Sequence, residues 1–168
     1  MKHDEIVEQL LSKAKNDSNT LGFLVFGSVS SGTHNEQSDI DLIIILRNHE
    51  PSSWLENIVI DNLKVGTIYF TYEALAYNVN TVPYLCHIFG NAKFLFDREN
   101  IIKPLLDQIN NYFVKNPEME KEWARYYSQF KEEKKQFGCE KTTIIDVLND
   151  LENRYSGGEI KRTFLRSI

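Results

Sequence analysis

The chain has 168 residues, of which 42% are hydrophobic and 26% are charged, and its formal net charge is −5. This length is enough to bury a sizeable core in one domain, with or without an appendage. No apolar run approaches about 18 residues and the first residues lack a basic-then-apolar leader, so we expect a cytoplasmic protein without a membrane-spanning helix. Cys86 and Cys139 have no motif spacing and are expected to be free thiols.

Charge is distributed unevenly between the two parts of the chain. Residues 1–97 contain 6 Lys and Arg against 12 Asp and Glu, whereas residues 98–168 contain 13 against 12. Neutralising a nucleic-acid backbone takes clustered Lys and Arg, and no such cluster is present. A long DNA or RNA partner is therefore disfavoured, and a small molecule, a protein side chain or a nucleic-acid end remains as a substrate class.

The first four predicted elements alternate between helix and strand. Apolar residues at helical spacing predict an amphipathic helix over 4–16. An apolar run predicts a strand over 21–26, and a short helix is expected over 28–32. A second apolar run predicts a strand over 39–46.

The middle of the chain continues this alternation. Ser53, with Glu56 three residues later, forms a capping-box pattern that predicts a short helix through about Ile60. The elements predicted after it are a strand over 63–71, helical stretches over 72–77 and 83–89, a break at Gly90-Asn91, and a strand over 92–96.

Beyond Asp97 the apolar residues keep a helical period, interrupted at Asn116-Pro117 as proline interrupts a helix. The pattern predicts an α/β sheet domain over 1–97 and a C-terminal helical region over 98–168. Four aromatic residues of that region share one helical face and are expected in the core or at a dimer face: Trp123, Tyr126, Tyr127 and Phe130. A homodimer is compatible with such an aromatic helical face.

The polar loop between the first two predicted strands is bordered by the candidate metal-binding and phosphate-binding residues. The first strand leads directly into Gly27-Ser28, and Ser38-Asp39-Ile40-Asp41 opens the second. Two carboxylates separated by one residue point the same way on a strand, so Asp39 and Asp41 would form a paired oxygen site. Hard cations such as Mg²⁺ take such ligands together with substrate phosphates, which backbone N–H groups of Gly27-Ser28 would hold.

The segment Leu21 to Leu46 resembles the nucleotidyltransferase superfamily of DNA polymerase beta. The resemblance lies in the order of its features: a strand, Gly-Ser, a loop, Ser-Asp-x-Asp and a second strand. Within that superfamily, the chain is most similar to the small bacterial members, the minimal and aminoglycoside-type enzymes. The resemblance implies a palm with a mixed sheet of about four strands. It also implies transfer of a nucleoside monophosphate from an NTP to a small-molecule or protein hydroxyl. Asp39 and Asp41 would then bind Mg²⁺, and Gly27, Ser28 and Ser38 would bind the nucleotide.

Two departures from the family pattern weigh against catalysis. The superfamily usually carries a third carboxylate on the strand that follows Asp-x-Asp, and Gly66 falls at that position. Many minimal members have Arg directly after Gly-Ser, where this chain has Val29. The alternative hypothesis is therefore a degenerate, antitoxin-like member that binds nucleotide or a protein partner without catalysis. A purely structural α/β module ranks last, because it makes the motif a coincidence.

Three further residues leave a choice between site and scaffold. His34 lies in the loop between Gly-Ser and Asp-x-Asp, and we interpret it as a solvated loop residue rather than a nucleotide contact. Thr67 and Tyr69 on the third predicted strand would either line the cleft or pack within the sheet, and the sequence favours neither.

Overall fold

The computed structural model describes residues 2–81 and 92–118, together with residues 121, 125 and 128. Its elements run in the order α1 (Lys2–Asn16), β1 (Thr20–Phe26), α2 (Gly27–Ser31), β2 (Ile40–Leu46), β3 (Ser53–Ile60), β4 (Leu63–Thr71), α3 (Tyr72–Thr81), β5 (Lys93–Asp97) and α4 (Ile102–Lys115). Most bounds agree closely with the predicted ones, although β2 begins at Ile40 and leaves Asp39 just outside the strand.

The strands form one mixed sheet in the order β3-β4-β2-β1-β5. The neighbours β2 and β4 are parallel, and the other pairs are antiparallel. This arrangement confirms the predicted α/β fold with a mixed sheet, and it contains five strands instead of about four. The additional strand is β3, at one edge.

The segment 53–60 is a strand, so the predicted short helix is wrong. It pairs antiparallel with β4 along its whole length. Asp61 and Asn62 join the two strands with φ angles of 51° and 67°, the backbone that a two-residue type I′ hairpin turn requires. Pairing with β4 outweighs the local capping-box pattern of Ser53 and Glu56, and Ser53 is buried in the sheet instead of capping a helix.

One part of the core lies between α1 and one face of the sheet. Its buried members are Ile6, Val7, Leu11 and Ala14 from α1, with Phe23, Val25, Ile40, Leu42, Leu63 and Val65 from the strands. Burying each large apolar side chain stabilises the fold by roughly 2 kcal/mol. This packing fixes the ends of β1 and β2, between which the loop with the motif runs.

On the opposite face of the sheet, Ile102 of α4 lies against Gly22 of β1, and α3 contacts α4, β2 and β4. Among the residues of these two helices whose side chains the structure describes, Leu75, Ile102 and Leu106 are buried. The side chain of Ile102 occupies the space that a Cβ would take at Gly22. The absence of a side chain at position 22 therefore lets α4 approach the sheet.

Several predictions fall on residues that the structure does not describe. These are the helical stretch over 83–89, the break at Gly90-Asn91, and the helical stripes after residue 118. The domain boundary after residue 97 stays a prediction. Among the helices of the described residues, none has the length and apolar character needed to cross a membrane.

Candidate functional site

The two halves of the motif meet where β1 ends and β2 begins. The antiparallel register places Phe26, the last residue of β1, opposite Asp41. Gly27 follows Phe26 directly and has a φ of 71°, in the left-handed region that glycine adopts without strain. The chain therefore turns sharply away from the sheet beside the carboxylate of Asp41.

The carboxylate of Asp41 rests against the backbone of Gly27. A Cβ at position 27 would lie 2.5 Å from Oδ2 of Asp41, closer than carbon and oxygen atoms can approach. Position 27 thus needs glycine for two separate reasons, the positive φ and the close carboxylate. Asp41 itself is half-buried in β2, so the sheet fixes its position without covering the residue completely.

Asp39 and Ser38 belong to the loop rather than to β2. The carboxylate of Asp39 is exposed, and since Asp39 precedes the strand, its shared face with Asp41 stays a prediction. The Ser38 hydroxyl accepts a hydrogen bond from the Asn35 backbone N–H at 2.9 Å, and Ser38 N–H donates to the Asn35 carbonyl at 3.1 Å. Ser38 therefore closes the loop just before the acids, and its own hydroxyl proton is not used in that bond.

The short helix α2 is stabilised by its own serines. The hydroxyls of Ser30 and Ser31 donate to the Gly27 carbonyl at 3.0 and 3.2 Å. Val29, which stands where many minimal members have Arg, packs against the core beneath α1. This segment of the loop is therefore anchored by an apolar contact and local hydrogen bonds rather than by a cation.

Two histidines lie beneath the loop that carries Ser38. His3 of α1 is buried, and its Nε2 lies 2.8 Å from the Ser38 carbonyl oxygen. The ring of His34 packs against that of His3 with centroids 4.8 Å apart. His34 is half-buried and both its ring nitrogens are shielded from solvent, so the interpretation of a solvated loop histidine is wrong. His3 precedes Ile6 and Val7 at helical spacing, which was the available signal that it faces inward.

Gly66 lies directly beside Asp41 on the neighbouring strand. The parallel register pairs Asp41 with Gly66, and the antiparallel register of the hairpin pairs Gly66 with Asn57 on β3. No group of three or more His, Cys, Asp or Glu side chains able to hold a metal occurs within the described part of the chain. The side chain next to Gly66 is instead the Asn57 amide, which the sequence did not reveal because residues 53–60 were predicted to be helical.

Thr67 and Tyr69 point away from Asp41, because side chains alternate between the faces of a strand. Tyr69 stacks on Trp54 with ring centroids 4.4 Å apart, and its hydroxyl donates to Glu56 Oε2 at 3.0 Å. Burial raises the pKa of Tyr69 above its ordinary value, and the negative charge of Glu56 raises it further. These side chains belong to strand packing on the α1 side, not to the cleft.

Comparison with known proteins identifies the class to which this fold and motif belong. The sequence profile described as a nucleotidyltransferase domain matches residues 3–123. That match covers well over half of the chain, and the protein therefore belongs to the nucleotidyltransferase domain family. The resemblance inferred from Gly-Ser and Asp-x-Asp is confirmed at this level.

Two examples illustrate the proteins to which the chain is similar. One, from Methanocaldococcus jannaschii, is provisionally described as a protein adenylyltransferase; it is 26% identical over 138 residues, which cover 71% of this chain and 92% of the relative. The other is the crystal structure of a nucleotidyltransferase-like protein from Exiguobacterium sibiricum. It is 17% identical with a TM-score of 0.49, and the match covers 62% of this chain and 37% of that one.

Proposed function

We propose that this protein transfers a nucleoside monophosphate from an NTP to a hydroxyl acceptor, with Mg²⁺ as the metal. The observation that carries the proposal is the Asp41 carboxylate, held at the start of β2 between Gly27 and Gly66 in a chain of the nucleotidyltransferase family. Neither flanking glycine has a side chain, so no side chain at positions 27 and 66 lies between this carboxylate and a bound cation.

The donor chemistry of the site fits Mg²⁺. Asp39 and Asp41 supply hard oxygen ligands, and Mg²⁺ is commonly held by one or two carboxylates plus substrate phosphates. When bound, Mg²⁺ neutralises charge on the triphosphate and polarises the phosphoryl group under attack. Asp39 and Asp41 would hold the metal. The backbone of Gly27 and Ser28 would place the triphosphate, helped by Ser38 at the other end of the loop.

The acceptor is proposed to be a hydroxyl on a protein side chain, and a small-molecule hydroxyl is the second choice. The Methanocaldococcus jannaschii relative is provisionally described as a protein adenylyltransferase, which supports ATP as the donor and a protein as the acceptor. The excess of acidic residues in the half of the chain that carries the motif argues against a polymeric nucleic-acid acceptor, whose phosphates it would repel.

Calorimetric titration with non-hydrolysable ATP, GTP, CTP and UTP analogues, with and without Mg²⁺, tests the proposal. The comparison is between the wild type and the Asp39→Asn/Asp41→Asn variant. A variant with Asp61→Asn and Asp107→Asn is the matched control, because it removes the same charge from an exposed turn and from α4. We expect Mg²⁺-dependent binding of one nucleotide that only the first variant loses. Absence of binding to all four analogues would contradict the proposal.

A second candidate function is nucleotide or partner binding without transfer. The position beside Asp41 on β4 is a glycine, and among the described residues no three acids or histidines come together. Such a site would bind one metal and nucleotide but would lack an obvious base to deprotonate an acceptor. Incubation with labelled ATP, Mg²⁺ and a proteome from which nucleotides have been removed separates the two functions. Covalent labelling that Asp41→Asn abolishes supports transfer, and binding without labelling supports the second candidate.

A further inference from the structure

Three residues form a row across β2, β4 and β3 beside the proposed metal site. Asp41 pairs with Gly66, and Gly66 pairs with Asn57. Residues directly opposite one another on neighbouring strands project from the same face of the sheet. The row therefore presents a carboxylate, a position without a side chain, and an amide, all on the face that carries Asp41.

The side chains of Asp41 and Asn57 both approach the backbone of Gly66, which lies between them. A Cβ at Gly66 would lie 3.3 Å from Oδ1 of Asn57 and 3.6 Å from Oδ1 of Asp41. Two oxygen atoms from different strands thus flank the volume that Gly66 leaves vacant. A larger residue at position 66 would separate them, so glycine there brings the amide of β3 toward the carboxylate of β2.

We propose that Asn57 is the third oxygen donor of the metal site, reaching across Gly66 to the place beside Asp41. This inference rests on the proposed function, since it assigns a ligand to the divalent cation proposed there. Side-chain amide oxygens are ordinary ligands of hard divalent cations. Asn57 is exposed on an edge strand, so its amide can turn its oxygen toward a bound ion.

The choice of an amide has an electrostatic consequence. Asn57 adds an oxygen but no charge, so the row carries one negative charge fewer than it would with a third acid. A divalent cation is attracted to each added carboxylate by Coulomb energy. The site is therefore expected to hold a first cation with moderate affinity and a second one weakly.

Binding of Mn²⁺, measured by electron paramagnetic resonance with a non-hydrolysable ATP analogue present, tests the assignment without relying on activity. Three variants are compared with the wild type: Asn57→Asp, Asn57→Ala and Gly66→Ala. Asn62→Asp is the matched control, because it adds the same charge in the β3–β4 turn, where Asn62 has a φ of 67° that Asp tolerates. Circular dichroism and thermal unfolding verify that each variant is folded.

We expect Asn57→Asp to tighten Mn²⁺ binding about tenfold, because it adds a charged oxygen beside the ion. Asn57→Ala removes the donor and should weaken binding severalfold. Gly66→Ala places a methyl group against the amide oxygen and should act in the same direction as Asn57→Ala. Asn62→Asp should leave the affinity close to the wild-type value.

The outcomes separate this inference from the function on which it rests. One outcome overturns the role of Asn57 and leaves the proposed function standing. In it, Mn²⁺ binding depends on Asp41 but is unchanged in Asn57→Ala, and Asn57→Asp has the same affinity as Asn62→Asp. Absence of Mn²⁺ binding by the folded wild type, or binding that Asp41→Asn does not weaken, overturns both. Opposite shifts in Asn57→Asp and Asn57→Ala support the assignment.

Discussion

The two ends of the β1–β2 strand pair differ in the surroundings of their acidic residues. At the closed end, formed by residues 15–20, 46–48 and 97–98, side chains bond to the backbone. The Arg98 guanidinium donates to the Thr20 carbonyl at 2.8 Å, and to those of Lys15 and Asp17 at 2.7 and 3.0 Å. The Asp17 carboxylate accepts from the Asn19 N–H and the Thr20 hydroxyl. The donors and acceptors at this end are thus used within the chain.

At the open end, formed by Gly27, residues 39–41, Asn57 and Gly66, the acids lie beside glycines or at the surface. The Asp41 carboxylate lies beside Gly27, which follows β1, and Gly66 on β4, and Asp39 is exposed before β2 begins. Both ends contain aspartates next to strand termini, so residue type alone does not separate a structural acid from a ligand. The surroundings do, because Asp17 accepts hydrogen bonds from two neighbouring donors, whereas Asp41 lies beside two glycines.

Neutralising one acid at each end should give the largest difference between the two ends in nucleotide binding. We expect Asp41→Asn to weaken Mg²⁺-dependent nucleotide binding at least about 100-fold, because it removes a charged metal ligand. Asparagine keeps the shape of the side chain and one of its accepting oxygens, so the free energy of unfolding should stay close to that of the wild type. Asp17→Asn should do the reverse, with nucleotide binding kept and stability slightly reduced. Calorimetry and urea unfolding measure the two quantities. Comparable binding losses in both variants would contradict the division.

A pair of glycines tests whether the space at the open end matters. Gly27 and Gly32 both have a φ of 71°, but a Cβ at Gly32 would meet nothing within 4 Å, whereas at Gly27 it would meet Asp41. Alanine at either position should cost about 1 kcal/mol of backbone strain. Only Gly27→Ala should also weaken nucleotide binding, by about tenfold, since it displaces a ligand by a small distance. Equal binding in the two variants would show that the carboxylate does not need this position.

The sequence predicted the open end because its signals are local. Gly27, Ser28, Asp39 and Asp41 lie within one short stretch between two apolar runs, so their spacing already implied a strand, a turn and a second strand. Asn57 was missed for the opposite reason. Its place depends on pairing between β3 and β4, and the capping-box pattern of residues 53–56 resembled a helix start until that pairing was known.

The closed end could not be predicted by the same reasoning. Arg98 bonds to Thr20 and Lys15 across 78 and 83 positions of sequence, and nothing in the residues around Arg98 points to those carbonyls. Asp97 is similar, since its carboxylate accepts from the Ile102 and Lys103 N–H groups and so begins α4. Strand and helix periods predict elements, whereas such side-chain bonds depend on how the elements are assembled.

Removing the central cation of the closed end should affect stability alone. We expect Arg98→Ala to lower the free energy of unfolding by about 2 kcal/mol, because it deletes charge-assisted bonds to three carbonyls. Arg98→Lys is the matched control, which keeps the charge but not the forked geometry and should recover part of the loss. Urea unfolding gives the energies. Nucleotide affinity should be unchanged in both variants, and a tenfold loss would show that the two ends are coupled.

The smallest expected effect concerns the pH dependence of the closed end. The Asn19 N–H bond lowers the pKa of Asp17 below its ordinary value; the Thr20 hydroxyl and the positive charge of Arg98 lower it further, although slight burial opposes them. Because the folded-state pKa is the lower one, the charged carboxylate stabilises the fold at pH values above the unfolded-state pKa. That contribution is lost as pH falls through the folded-state pKa. Asp17 is exposed, so solvent screening limits the effect to less than about 1 kcal/mol.

Urea unfolding of the wild type and Asp17→Asn, at pH 7 and again below pH 3, isolates this contribution. Asparagine keeps the shape of the side chain and cannot titrate, so the difference between the two proteins cancels the other carboxylates. We expect the wild type to be the more stable at neutral pH and the difference to shrink in acid. A difference of the same size at both pH values would mean that Asp17 acts through its shape and not through its charge. The closed end would then depend on geometry alone, whereas the open end would still depend on charge.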